Sequence, residues 1–166
     1  DADAERWRRQ WRQAFTLANR EVVNTSKELS IRLAELARDI RDRIETAIAV
    51  AGAPDRVAVD ANARFDPASA EAFGRAIEPI GLLWYEEPVD PLDYAAFATL
   101  AQTYAGPLAT GENLFSTQDV ENLVTFGGMR AGTDYIQTDV PQSYGIVQFV
   151  RTLAMLERRG WSRSSI

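Results

Sequence analysis

The stretch Val57–Pro88, VAVDANARFDPASAEAFGRAIEPIGLLWYEEP, decides how this chain folds. It opens with a short apolar run, VAVDAN (57–62), and closes with a second, LLWYEEP (82–88). Each run ends in acid, and an amphipathic pattern over about 67–79 lies between them. Strand, turn, helix, strand at this length is the signature of a crossover joining two parallel strands.

Moving outward, the same unit recurs. LATGEN (108–113) and YIQTDV (135–140) read as further strands, and helices are expected at about 92–104, 117–126 and 142–159. Ser116, in STQD, is placed to cap the third of these four helices. The closing GWSRSSI reads as the start of a fifth strand. In front of Pro54 the chain is charged, arginine-rich and helical in period. One helix carries Trp7, Trp11 and Phe15, and Thr25-x-x-Glu28 forms a capping box ahead of a stripe running from Leu29 to Ile48. That second helix should stop near Gly52 and Pro54, and pack beside VAVDAN. The resulting layout is a helical segment over 1–50 and a partial barrel over 51–166.

Twenty-six residues separate Asp60 from Glu86 and Glu86 from Glu112, and twenty-seven separate Glu112 from Asp139. In a parallel sheet the C-terminal ends of all strands face one way, so acids at equivalent places in successive units converge on one mouth. Strand alternation pairs Ala58 with Asp60, Trp84 with Glu86, Thr110 with Glu112 and Gln137 with Asp139, which lets the acids point inward together. Clustered like charges raise one another's pKa and destabilise a fold unless a cation sits among them. Three strand-end carboxylates make a hard oxygen shell suited to Mg²⁺, with Mn²⁺ as a substitute.

Composition narrows the function further. At 166 residues and 46% hydrophobic the chain can bury a core of its own. A complete (β/α)8 barrel needs about 250 residues, so only part of one fits. A net charge of −6 argues against nucleic acid or an anionic membrane as partner. No apolar run is long enough to span a bilayer, so a cytoplasmic protein is the expectation. The chain contains no cysteine and no histidine, so chemistry here falls to carboxylates, hydroxyls, arginines and the single lysine, Lys27.

The ordered set VDAN, WYEEP, GEN and TDV resembles the barrel of the mandelate racemase branch of the enolase superfamily, over Ala47–Ile166. The resemblance implies four βα units, strands three to six with the start of strand seven. It makes Asp60, Glu86 and Glu112 the ligands of one Mg²⁺. It gives Asp139 a catalytic supporting place, hydrogen-bonded to a histidine on strand seven, and sets Asn62 and Asn113 beside the ligands to hold them or touch substrate. The run ERRGWSRSSI looks most like the acid-sugar dehydratases of the branch, of tartrate type. The implied activity is Mg²⁺-dependent dehydration of a small carboxylate substrate. A racemase or cycloisomerase of the same superfamily, or a non-catalytic α/β domain, are the alternatives, and a homo-oligomer is left open.

Two departures qualify that implication. The family's strand-seven histidine has no counterpart here, and its Lys-x-Lys motif is replaced by SKELSIRLAEL, which reads as helix. Lys27 reads as a solvated helix-start residue rather than a base. The chain therefore reads as a fragment that keeps the metal ligands, lacks both bases and should be inactive by itself.

Overall fold

The computed structural model describes Thr16 and residues 38–166. The expectations for Trp7, Trp11, Lys27, the Thr25–Glu28 box and the packing of the leading helix lie outside the described residues. The chain divides into two compact units, Asp1–Thr46 and Ala47–Ile166. In the first, residues 38–46 are helical and carry an exposed Arg43–Asp39 ion pair of 2.9 Å. The helical run ends at residue 51, as its sequence requires. Gly52 has φ +85 and donates its N–H to the Ile48 carbonyl at 2.8 Å, a left-handed exit that a Cβ would disfavour.

The second unit is a four-stranded parallel sheet in the order β1-β2-β3-β4: Val59–Asp60, Tyr85–Glu86, Leu108–Thr110 and Tyr135–Ile136. Helices α1 (Pro67–Ile77), α2 (Tyr94–Thr103), α3 (Thr117–Phe126) and α4 (Ile146–Arg158) follow the strands in turn. Local chemistry sets where each begins. The Asp66 side chain accepts the Ser69 N–H ahead of Pro67, and Asp93 accepts the Ala96 N–H. Ser116 and Asp119 cap α3 reciprocally, as a full capping box.

Three boundaries differ from the sequence reading. The α1 pattern ends at Ile77, and Glu78–Ile80 tighten into a 3₁₀ turn around Pro79, which has no N–H to continue an α-helix. The last helix begins at Ile146 rather than near 142. Ser143 and Gly145 first turn back onto the Asp139 and Val140 carbonyls, and Tyr144 and Gly145 both take positive φ. No strand forms in GWSRSSI; Arg163–Ser165 make a 3₁₀ turn instead. Ser162 caps the Ser164 N–H and Arg163 pairs with Glu157, so local partners satisfy this segment without a ladder.

Register defines two faces. Val59, Tyr85 and Leu108 align in one row, and Asp60, Glu86, Ala109 and Tyr135 in the next. Aligned residues of parallel strands share a face, and successive rows alternate. The Tyr85 face meets the helices. Its ring lies 5.4 Å from Phe73 of α1 and 5.8 Å from Tyr104, over a core that includes Phe97, Leu100, Leu108, Leu123, Ile136 and Leu156. Burial of this apolar layer is the main stabilising term at about 25 cal/mol per Å². The opposite face carries Asp60 and Glu86.

At the far end of the sheet a buried clamp fixes β3 against β4. Asp134 is 0% exposed and accepts the Leu108 N–H at 2.9 Å and the Arg130 N–H at 2.6 Å. The Arg130 guanidinium donates to both oxygens of Asp134 and to the Tyr104 and Gly106 carbonyls. Among the described residues no helix is long and apolar enough to cross a membrane.

Candidate functional site

Asp60 and Glu86 stand side by side, as direct register partners on the last residues of β1 and β2. Glu112 and Asp139 lie just past β3 and β4, in the loops at the same end. Alternation read from sequence needs correcting at β3. Thr110 aligns with Ile136, not with the Asp60–Glu86 row, and is wholly buried on the helix side. The change of direction comes at Gly111, whose φ of +133 breaks the pleat before Glu112. A Cβ on Gly111 would lie 3.0 Å from the Gln137 backbone nitrogen, so only glycine fits.

Asp60 and Glu86 each have an orienting partner. Asp60 accepts the Asn62 N–H at 2.8 Å and the Asn62 side-chain amide at 2.6 Å. The Trp84 indole N–H donates to Glu86 at 2.7 Å. The Trp84 ring in turn rests 4.9 Å from Tyr135. Asn113 does not reach toward open space; its amide donates to both oxygens of Glu87, at 2.7 and 2.9 Å.

Glu87 is the residue that sequence reasoning passed over. It is 2% exposed, and its φ of +37 takes it out of the strand geometry. Burial pushes its carboxyl above the usual range. The Asn113 hydrogen bond opposes this, while the charges of Glu112, Asp60 and Glu86 add to it. That influence is itself a sign that the four carboxylates occupy one region. The EEP pair announces two acids, but nothing in the letters says that the second turns left-handed.

A cleft of about 490 Å³ opens here, lined by Asn62, Glu87, Asp90, Glu112 and Asn113, with Leu92 and Phe115 at its apolar side. The donor set is all oxygen and carries no thiolate or imidazole, which suits a hard divalent cation. Among the described residues, no three of the acids come together closely enough to hold an ion with their side chains in these orientations. Asp60 and Glu86 each have an oxygen engaged, by Asn62 and by Trp84. The donors fit a cation by chemistry and by strand-end position.

A parallel sheet with crossover helices on one face and acids at its C-terminal strand ends is the arrangement of a portion of a (β/α) barrel. Residues 3–164 match the enolase C-terminal domain-like family, and the chain belongs to that family. The match reaches well in front of Ala47, where the resemblance read from the motifs began.

L-talarate/galactarate dehydratase of Salmonella typhimurium is 34% identical over 124 residues, covering 75% of this chain and 30% of that protein. Its crystal structure superposes with a TM-score of 0.65 over 75% of this chain and 30% of that one, at 34% identity. L-talarate dehydratase from Polaromonas sp. JS666, solved with Mg and L-glucarate, gives a TM-score of 0.58 at 35% identity. That match covers 64% of this chain and 29% of the other. The chain thus spans about 30% of the length of the curated relative it matches.

Proposed function

We propose that this chain is the metal-binding part of a Mg²⁺-dependent acid-sugar dehydratase, with Asp60, Glu86 and Glu112 as the metal ligands. The observation that carries the reading is the direct pairing of Asp60 with Glu86 at one sheet end, with Glu112 in the adjoining loop. The family match and the acid-sugar dehydratases among the similar proteins support it.

Asn62 keeps Asp60 and Trp84 keeps Glu86 at the mouth. The cleft beside Glu112 takes a small polyhydroxylated carboxylate. When bound, the ion supplies positive charge that stabilises the negative charge developing on a substrate carboxylate as its alpha proton is removed. Asp139 is exposed at the end of β4, positioned to orient a base that these 166 residues do not contain, since they hold no histidine. The chain by itself therefore binds cation without turning substrate over.

Calorimetric titration with Mn²⁺ tests the ligand set. Wild type should bind, and a Glu86→Gln, Glu112→Gln double variant should not. Equal binding by the two would remove the basis of this assignment.

A further inference from the structure

We propose that Glu87 is a positioning residue that holds the loops after β1 and β3 on the end of β2, so that Asp60, Glu86 and Glu112 keep a common spacing. The inference rests on the metal-site reading above and adds the residue that organises it.

Glu87 makes a separate connection in each direction. Its N–H donates to the Ala109 carbonyl at 3.0 Å, which continues the ladder to β3. Its carbonyl accepts the Ala63 N–H at 2.8 Å, which draws in the loop after β1. Its carboxylate accepts from the Asn113 amide through both oxygens, at 2.7 and 2.9 Å, which ties down the loop after β3. Each partner sits close in sequence to a proposed ligand: Ala63 follows Asp60 by three residues, Asn113 follows Glu112 directly, and Glu87 itself follows Glu86. Two of these connections are made by the Glu87 backbone and one by its carboxylate, so a shift of this one residue is transmitted to all three.

Two further features separate this from ordinary packing. A charged side chain is almost never fully buried without partners, yet Glu87 is buried at the lip of a cleft whose neighbours Asp60, Glu112 and Asn113 are exposed. Its φ of +37 is a conformation that a side chain such as glutamate keeps only where its surroundings over-determine it. Both are explained if the position is fixed by its three connections. Outer partners that orient metal ligands change metal affinity by about ten- to a hundredfold when removed.

The test titrates Mn²⁺ alone into the full chain as wild type, Glu87→Gln, Asn113→Asp and the double swap, which exchanges amide and carboxylate and restores one facing the other. Mn²⁺ EPR at saturation is recorded beside each titration. Each single variant should bind about tenfold or more weakly, with an altered EPR spectrum, and the swap should recover both. Asn113→Ala, which removes both bonds to the buried Glu87 carboxylate without adding charge, should weaken binding too, with far-UV circular dichroism showing that the metal-free variant is folded at the titration temperature. Single variants that bind within twofold of wild type overturn the proposal, as does a swap that recovers nothing. A wild type that binds no better than Glu86→Gln, Glu112→Gln fails differently: the metal-site reading falls, and the positioning role with it.

Discussion

Replacing Arg130 by alanine should destabilise the chain far more than removing any of its surface ion pairs. The Asp134 carboxylate is 0% exposed, and Arg130 donates to it through Nε at 3.0 Å and a terminal nitrogen at 2.6 Å. Breaking a buried pair from one side leaves an uncompensated charge and typically costs about 3–5 kcal/mol. Two considerations place this case at the lower end. The Arg130 side chain is 28% exposed, and the Leu108 and Arg130 backbone N–H groups still face the carboxylate after truncation. Loss of the bonds to the Tyr104 and Gly106 carbonyls works the other way. About 3 kcal/mol is the resulting expectation, or a fall in melting temperature of about 6–12 °C for a chain of this size. Urea unfolding followed by far-UV circular dichroism measures it, with Arg75→Ala as the control. Arg75 pairs with Glu71 at 3.1 Å with 60% of its side chain exposed, so its removal should cost under about 1 kcal/mol. If Arg130→Ala falls no further than Arg75→Ala, the clamp does not hold β3 against β4 and the reasoning is wrong.

Other outcomes follow from the same structure. Gly111→Ala should lose about 1–3 kcal/mol of stability in the same unfolding assay, because φ +133 and the Gln137 backbone both reject a Cβ. The Ser69 backbone N–H, then its hydroxyl, hold the Asp66 carboxyl below its ordinary value, so Asp66 adds stability above the usual carboxylate range and loses it as pH falls through its folded pKa. Asp66→Ala should accordingly be less stable than wild type at neutral pH, with the gap closing in acid; a pH-independent gap would contradict the cap. The chain alone should show no turnover of tartrate, galactarate or related sugar acids in a coupled or mass-spectrometric assay. Removal of a single general base already costs about 10²- to 10⁴-fold, and robust turnover would overturn the reading of a bare metal-binding part.

The sequence carried the fold through its period. Strand runs recurring every twenty-six or twenty-seven residues, with amphipathic spacers, fixed a parallel sheet in sequential order, and that order is observed. Ser116 was legible as a cap because capping depends on a few neighbouring letters. What stayed hidden depends on backbone conformation or distant partners. Strict alternation put Thr110 on the face of Glu112, but Gly111 rotates the chain between them. The last helix was read too early because the Tyr144–Gly145 turn leaves no periodic trace. GWSRSSI forms no fifth strand, because strands exist only where a neighbour pairs with them. Glu87 and Glu86 are the same letter, and only φ and a partner twenty-six residues away distinguish the buried hub from the strand-end acid.

Asp60, Glu86 and Glu112 are proposed to share one divalent cation. Anomalous diffraction from a crystal of the full chain soaked in Mn²⁺ tests it most directly. A single strong peak should appear beside the ends of β1 and β2, with an oxygen of each of the three side chains at about 2.1 Å. A peak held by a different set of acids, or none at saturating Mn²⁺, would contradict it.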